Sequence, residues 1–272
     1  MKVAIDFGIS NTDLAILNKE KLIFHTLPSL NKELSDLLIK EILSLHNINI
    51  SDIGIIGVTG GKSSDLEDMI DSIPVIKVNE IEAIGTGAKH LYQIKDESSL
   101  IVSTGTGTAC VHVEKNSCNH LGGIAVGGGM LEGLGHMLLN NADGAEINEY
   151  GIHGDRSKLD FLIGDVVNKI GALSQDITAV NFGRAKTSSE DTMENTAAAL
   201  CNMVGEVIGT IAYLNAMLIG SNNVYFVGRT SLLSEVTKGI NNRLELAGIK
   251  GKYNDQRGFG NVIGVMEIIK NH

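Results

Sequence analysis

Four apolar runs in this chain each stop at a glycine-containing turn, and this feature restricts the fold more than any other. Short continuous apolar runs bounded by such turns are typical of buried strands. The runs and their turns are Lys2–Ile5 before Asp6-Phe7-Gly8, Ile53–Val58 before Thr59-Gly60-Gly61, Leu100–Ser103 before a Gly-Thr-Gly-Thr segment, and Val224–Val227 before Gly228. The chain is therefore predicted to contain buried sheets whose strand ends carry glycine turns.

The elements between these turns follow the order βββαβαβα, and the order recurs in the second half of the chain. Apolar residues at three- and four-residue spacing indicate the helices. The predicted helices span Leu34–Leu43, Ser64–Ile70, Ile81–Tyr92, Met130–Leu139, Ala197–Leu218, Leu232–Leu246 and Gly260–Lys270, with two or three segments within Ile147–Ile170. Helical crossovers require parallel strand pairing, so each half is predicted to be a mixed sheet with helices on its faces.

Two halves with one plan predict two related α/β domains that face each other across a cleft. We place them at residues 1–95 and 96–272, because the polar stretch at Asp96-Glu97-Ser98-Ser99 follows the last helix of the first half. The helix Ala197–Leu218 is almost wholly apolar, so it is expected to be buried or to form a subunit contact.

Composition limits the classes of function. The chain has 22 basic and 32 acidic residues, a formal net charge of −10, and no cluster of Lys and Arg. Nucleic acid is therefore excluded as an expected partner.

The three cysteines lack a CxxC spacing, which indicates reduced thiols. Apolar stretches are interrupted by polar residues well before ~18 positions, so no membrane span is expected and a cytoplasmic protein is predicted.

The first two glycine loops have the composition of phosphate-binding loops. In Asp6–Thr12, glycine and hydroxyl residues lie between two hairpin strands, with Asp6 placed to hold Mg²⁺, although a plain β-turn has a similar composition. In Ser103–Thr108, four hydroxyls and two glycines follow a buried strand and can surround phosphate oxygens. A simple hairpin loop is the alternative there.

The third loop, Gly127-Gly128-Gly129, directly precedes a helix. Each glycine costs about 0.5–1 kcal/mol relative to alanine, so the run is expected either to admit an anion against free N–H groups or to allow two backbones to pack closely. The fourth, Gly228-Arg229-Thr230, is a strand end where a base or ribose can rest.

Glu80 is the candidate catalytic carboxylate. It opens the helix after Val78, with Asn79 as N-cap, and acidic residues also favour that position through the helix dipole alone. A kinase of small alcohols needs a carboxylate near its phosphate loops to take the hydroxyl proton. HExxH, GxSxG and GxxxxGK[ST] motifs are missing from the sequence, which argues against a zinc protease, a serine hydrolase and a P-loop NTPase.

These segments together resemble the type II pantothenate kinases of the sugar kinase, actin and heat-shock ATPase superfamily. The similarity runs along nearly the whole chain in one order. The segments that carry it are Ser103–Thr108, Gly122–Gly135, His153–Arg156, Ala179–Gly183, Val204–Ile208, Val224–Gly228 and Gly258–Gly264. The resemblance implies two actin-like (ribonuclease H-like) domains around an ATP cleft.

The resemblance also implies roles for individual residues. Glu80 corresponds to the carboxylate that takes the proton from the primary hydroxyl of pantothenate, and Asp6 to the Mg²⁺ ligand. The implied ATP-binding residues are Asp6, Gly8, Ser10, Asn11, Gly105, Thr106, Gly107, Gly127, Gly128, Gly129, Met130, Leu131, Gly228 and Thr230. Thr108, His120 and Gly122 are implied to contact the substrate. The family forms homodimers, and the helix Ala197–Leu218 suits that contact.

Two departures from the family pattern leave alternatives open. The family's first loop has Asp-x-Gly-Gly-Thr and then a Lys, whereas this chain has Ile9 in the loop and Asp13 at the Lys position. The family's Arg before its Gly-Gly turn is replaced by Asn119-His120. The main prediction is ATP-dependent phosphorylation of pantothenate, the first step of coenzyme A biosynthesis. The alternatives are a kinase for another small alcohol and an ATP-binding or ATPase regulatory protein without kinase activity.

Overall fold

A computed structural model describes residues 1–29, 33–95, 98–115, 117–168, 174–270 and 272. Within these residues the strands are β1 (Lys2–Phe7), β2 (Asn11–Asn18), β3 (Lys21–Pro28), β4 (Ile55–Thr59), β5 (Met69–Ile70), β6 (Ile73–Lys77), β7 (Ser99–Thr104), β8 (Thr108–Glu114), β9 (Ser117–Ile124), β10 (Phe161–Leu162), β11 (Thr178–Val180), β12 (Asn223–Val227) and β13 (Lys250–Tyr253). The helices are α1 (Asp36–Leu45), α2 (Glu80–Tyr92), α3 (Gly128–Leu139), α4 (Gly144–Ile152), α5 (Ile163–Val166), α6 (Met193–Leu218), α7 (Ser234–Glu245) and α8 (Gly260–Ile269).

Two large sheets share one strand order. The first runs β3-β2-β1-β4-β6-β5 and the second β13-β12-β7-β8-β9. In the first sheet β1 pairs antiparallel with β2 and parallel with β4, and β4 pairs parallel with β6. In the second sheet β12 pairs parallel with both β7 and β13. The order β9-β8-β7-β12-β13 thus repeats β3-β2-β1-β4-β6, as the element order predicted.

Contacts divide the chain into two units that do not follow the predicted domains in full. One unit is Met1–Glu97 with Val111–His120 and Asn254–His272, and the other is Ser98–Cys110 with Leu121–Tyr253. The two later segments join the first unit because they pack there. Cys118 lies against Gly85 of α2, and Gly264 of α8 lies against Ala83 of the same helix. The predicted polar break at Asp96-Glu97 falls outside the described residues.

Alternating side chains cover both faces of the first sheet. From β1, Val3 and Ile5 point into a core with α1, while Ala4 points into a second core built with α2 and α8. Successive residues of a strand point to opposite faces, so a continuous apolar run is what a sheet covered on both sides requires. In the second unit, α6 and α7 pack on residues such as Val102 and Phe226.

The long helix α6 belongs to the core of the second unit. By length and composition it meets the criteria for a membrane span, contrary to the expectation from sequence, and 67% of its most apolar stretch is buried inside the protein. Core helices meet the same criteria, so burial accounts for its apolar surface.

Three local predictions differ from the structure. The segment Ser64–Ile70 is not a helix: a short 3₁₀ turn at Ser63–Asp65 leads into β5, which pairs antiparallel with β6. Asp71 lies in the turn of this hairpin with a φ of 54°, and Ile70 is buried as a strand residue. Within Ile147–Ile170 the structure has β10 in addition to helical turns, and Lys169 and Ile170 lie outside the described residues. The strand β13 was missed because the sequence Lys-Gly-Lys-Tyr lacks an apolar run.

Candidate functional site

Three parallel strands of the first unit bring the candidate acidic residues to one edge of the sheet. Asp6 on β1 is the register partner of Thr59 on β4, and Val58 is the partner of Lys77 on β6. The hydroxyl of Thr59, which is buried, donates to the carbonyl of Val78 at 2.9 Å and fixes the path to α2. The segments after β1, β4 and β6 therefore leave the sheet side by side, which is where ligands bind in sheets of this type.

The first loop is a tight turn between β1 and β2. A side chain at Gly8 would come within 2.6 Å of the carbonyl oxygen of Asn11, so only glycine fits there. Ser29 closes the turn by donating its hydroxyl to the Gly8 carbonyl at 2.6 Å. Ile9, at the tip, is 83% exposed and does not have a positive φ, so the loop accommodates it without a left-handed backbone.

Asp13 occupies an interior position on the first sheet. It lies directly opposite Asp6 on β1, and it accepts a hydrogen bond of 2.7 Å from the hydroxyl of Thr26 on β3. Like charges at directly opposed positions repel each other. This end of the sheet therefore carries two neighbouring carboxylates, a suitable environment for a cation.

Glu80 begins α2 at the same edge. The side chain of Asn79 caps the helix by accepting from the Ile81 amide at 2.9 Å, as the sequence predicted. Glu80 is exposed, and its carboxylate has no hydrogen-bond or ion-pair partner among the described residues. An unengaged carboxylate can accept a proton from a hydroxyl group that is brought to it.

In the second unit the remaining three glycine segments meet each other. The carbonyl oxygen of Gly105 accepts from the amide of Gly128 at 2.8 Å and from the hydroxyl of Thr230 at 2.7 Å. The amide of Gly129 donates to the Thr106 carbonyl at 3.0 Å. The loop of Ser103–Thr108, the start of α3 and the turn after β12 therefore form one connected structure.

This arrangement shows what the glycines before α3 do. A Cβ atom at Gly127 would lie 2.7 Å from the carbonyl oxygens of Gly105 and Thr106, and one at Gly128 would lie 2.8 Å from the hydroxyl of Thr230. The run allows two backbones to pack closely, and the Gly128 and Gly129 amides, expected to be free for an anion, are already hydrogen-bonded. Gly228, with a φ of 91°, approaches the Thr104 backbone in the same way.

Some predicted ligand residues have other surroundings. Leu131 is 0% exposed and packs in the core of the second unit, so its side chain is not available to a nucleotide. It follows Gly128 by three residues, and this spacing puts it on the inner face of α3. Thr108 is buried and donates to the Val126 carbonyl at 2.7 Å. His120, on β9, is exposed, and Gly122 has open space beside it.

The two short segments His153–Arg156 and Ala179–Gly183 meet around a carboxylate that the sequence did not single out. Asp160 accepts from the Phe182 amide at 2.8 Å, and its Oδ2 lies 3.6 Å from Nη1 of Arg156. Burial raises the pKa of the Asp160 carboxyl to about 6, against the lowering effect of these two partners. On α3, burial and the charge of Asp143 raise the pKa of Glu132. The role of Asp160 has no sequence signal, because its hydrogen-bond partner Phe182 is distant in the chain.

Comparison with known proteins defines the relationship. A model of the Fumble family matches residues 95–237, more than half of the chain. The chain belongs to the Fumble family. Relatives include a type II pantothenate kinase from Staphylococcus aureus, 29% identical over 63% of this chain and 66% of that protein. One from Oceanobacillus iheyensis is 29% identical over 57% of this chain and 60% of that protein. The alignments thus span less than two thirds of these Fumble relatives.

Solved structures share the fold of this Fumble protein. The activator of 2-hydroxyisocaproyl-CoA dehydratase from Clostridium difficile, with bound ADPNP, matches with a TM-score of 0.65 and 14% identity over 100% of this chain and 97% of that chain. A glucokinase of the ROK family from Streptomyces griseus, in complex with glucose and AMPPNP, matches with a TM-score of 0.62 and 12% identity over 100% and 99%. The predicted α/β fold with two actin-like sheets is confirmed, as is the resemblance to the type II pantothenate kinases.

Proposed function

We propose that this chain is an ATP-dependent kinase that phosphorylates the primary hydroxyl of pantothenate, the first step of coenzyme A biosynthesis. The observation that carries the proposal is the position of Glu80, an unengaged carboxylate two strands away from Asp6 at one edge of the first sheet. Membership of the Fumble family and similarity to enzymes named type II pantothenate kinase support the choice of substrate.

Glu80 is proposed as the general base. Its carboxylate accepts the proton of the substrate hydroxyl as the oxygen attacks the terminal phosphorus atom of ATP, and ADP leaves. Helix α2 holds the carboxylate in place through its Asn79 cap and through its packing on the first sheet. A base at the start of a capped helix keeps its direction without help from a mobile loop.

ATP and Mg²⁺ are the proposed co-substrate and metal. Mg²⁺ in kinases is held by one or two carboxylates together with substrate phosphates, and Asp6, with Asp13 opposite it, supplies such a set. The ion neutralises charge on the phosphates when bound. No group of three side chains able to hold a metal by themselves occurs among the described residues. In the first unit Gly8, Ser10 and Asn11 are also proposed to contact the phosphates.

In the second unit the connected glycine segments are proposed to hold the nucleotide. The residues are Gly105, Thr106, Gly107, Gly127, Gly128, Gly129, Met130, Gly228 and Thr230. Because their backbones are tied together by hydrogen bonds, they form a rigid surface that loses little entropy on binding. Thr108, His120 and Gly122 are proposed to contact the substrate.

A kinase for another small alcohol is the second candidate. The exposed Asn119 and His120 on β9 favour it, because neither supplies the fixed bidentate donor that a carboxylate substrate prefers. An ATP-binding regulator without kinase activity remains the alternative of a different class, favoured by the carboxylate of Asp13 in the first sheet.

The test is a panel of alcohols, including pantothenate, incubated with MgATP and the wild-type protein, Glu80→Gln and Glu82→Gln. Glu82 lies in the same helical turn and is also exposed, so it is the matched control. We expect phosphopantothenate from wild type, a fall in kcat of about 10²–10⁴-fold in Glu80→Gln, and a change under about two-fold in Glu82→Gln. Phosphorylation of a different alcohol instead of pantothenate would establish the second candidate. A rate of ATP hydrolysis that changes neither with any alcohol nor in Glu80→Gln would establish the regulator.

We further infer that the protein forms a homodimer through α6 and acts in the cytoplasm. More than half of the residues of α6 are buried, but an apolar stripe at Val207, Ile211, Leu214 and Leu218 is left partly or fully exposed. The spacing of four, three and four residues keeps the stripe on one helix face, where a second copy can pack. The free cysteines fit a reducing compartment.

A further inference from the structure

A turn after β4 lies against the first loop and ends in a lysine. A Cβ atom at Gly60 would come within 2.6 Å of Oδ1 of Asp6 and 2.7 Å of the Phe7 carbonyl, and Gly61 approaches the same carbonyl. Both glycines have positive φ, 76° and 50°. The turn Gly60-Gly61-Lys62 therefore packs on the backbone of the first loop, and Lys62 leaves it at a fixed position beside that loop.

Lys62 and the first loop line one cavity of about 530 Å³ in the first unit. The loop contributes Gly8 and Ile9, the turn contributes Gly61 and Lys62, and Leu34 and Leu38 are among the apolar residues of the wall. Lys62 is the only basic residue among the described lining residues, and Glu33 and Asp65 also line the cavity. A ligand that contacts the loop at this point thus meets one positive side chain.

The ammonium group of Lys62 is not engaged elsewhere. It is exposed and has no hydrogen bond or ion pair within the described part of the chain. Lys40 and Lys77, by contrast, pair with Asp71 and Asp68, each at 2.8 Å. An unpaired lysine with four methylene groups can reach a ligand without breaking an existing ion pair.

The first loop is negatively charged, so binding of a nucleotide phosphate beside it requires a positively charged side chain. Asp6 and Asp13 place two carboxylates opposite each other, and residues 6–13 contain no Lys or Arg. A triphosphate brought to this loop meets negative charge that Mg²⁺ offsets only in part. We propose that Lys62 binds the terminal phosphate of the nucleotide and supplies the positive charge that the first loop lacks. The proposal rests on the nucleotide binding put forward above.

Binding of MgATP, MgADP and adenosine to Lys62→Met, measured by calorimetry, tests the proposal. Lys21→Met, an exposed lysine at the start of β3, is the control, and Lys62→Arg keeps the charge. A charge-assisted contact to the terminal phosphate predicts that Lys62→Met weakens MgATP binding about 10-fold or more and MgADP binding less than about three-fold. Adenosine binding should not change. Lys62→Arg should recover most of the MgATP affinity, and Lys21→Met should behave as wild type.

The outcomes separate this proposal from the kinase assignment. If the wild-type protein binds MgATP but phosphorylates no alcohol, the kinase function is overturned. The role of Lys62 is then still decided by whether Lys62→Met loses more affinity for MgATP than for MgADP. Equal MgATP affinity in Lys62→Met and wild type overturns the role of Lys62. An equal loss for all three ligands does so as well, because it indicates a general structural effect. Wild-type protein that binds no MgATP overturns both.

Discussion

At the scale of single residues, Asp160 shows how a buried carboxylate is kept in place. Its side chain is 0% exposed, and Asn202 of α6 lies 3.4 Å from Oδ2 in addition to the Phe182 amide and Arg156. These partners favour the ionised form, but loss of water outweighs them and raises the pKa to about 6. The Asp160 carboxyl, which is costly to ionise, thus connects the segments His153–Arg156 and Ala179–Gly183.

The raised pKa of Asp160 predicts a pH dependence of stability. In the unfolded chain an aspartate has a pKa of about 3.9, so between pH ~4 and ~6 the folded state binds more protons at this residue. Its contribution to the free energy of unfolding is therefore largest below pH ~4 and falls by about 2–3 kcal/mol as the pH rises through 6.

Urea unfolding at several pH values between 4 and 7 measures this slope. We expect Asp160→Asn to lose most of the decline with pH, since Glu132 also has a raised pKa, and Asp191→Asn, which removes an exposed carboxylate of the same unit, to keep it in full. Parallel curves for wild type and Asp160→Asn would show that the carboxyl titrates alike in both states.

At the scale of elements, the packing of α2 on α8 depends on two glycines. A Cβ atom at Gly87 would overlap the carbonyl oxygen of Gly260, and one at Gly264 would overlap that of Ala83. The helix backbones touch directly at this crossing. Because α2 begins at Glu80, the closeness of the two helices also positions the candidate base.

Gly264→Ala is expected to destabilise the protein by about 1–3 kcal/mol, since the added methyl group forces the two backbones apart. Gly133→Ala is the matched control: Gly133 also lies inside a helix, but no atom lies within 4 Å of its Cβ position. Alanine there should leave stability unchanged or raise it by up to about 1 kcal/mol. Thermal unfolding of both variants makes the comparison, and equal midpoints would contradict the close crossing.

The sequence was sufficient where a pattern is local. Strands such as β1 and β12 are continuous apolar runs that end in glycine, and the cap of α2 by Asn79 is a short-range signal. It was insufficient where the partner is remote. Composition does not distinguish glycines that face an anion from glycines that pack on another backbone. The run Gly127–Gly129 packs closely on the backbone of residues 105–107. Lys62 had no signal of its own, because its importance comes from the cavity that it shares with Gly8.

At the scale of the whole molecule, two units repeat one strand order, yet their chain segments are not contiguous. The contact-defined first unit takes its last helix from the end of the chain and the outer parts of β8 and β9 from the middle. The repeat was predictable because it follows from element order. The membership of α8 in the first unit was not predictable, because it depends on the contacts of Gly87 and Gly264 and not on the composition of α8 itself.

The proposed dimer gives a prediction at this scale. Leu214→Glu places a charge at the centre of the exposed stripe on α6, where Leu214 is 50% exposed. A charge in an apolar contact is costly to desolvate, so we expect the variant to be monomeric where wild type is dimeric. Leu45→Glu, at an exposed leucine on α1, is the control. Light scattering coupled to gel filtration reads the mass, and an unchanged mass in Leu214→Glu would place the contact elsewhere or show that none forms.

The return of α8 to the first unit has a consequence for how the protein is made. Ribosomes release the chain from the amino terminus, and early domains commonly fold while later ones are still being translated. Ala4, Ala15 and Ile55 of the first sheet form their core with Val262, Val265 and Met266 of α8. Until the second unit has been synthesised, that side of the sheet has no α8 to cover it. The half of the protein that carries Glu80 is therefore finished last, although it is translated first.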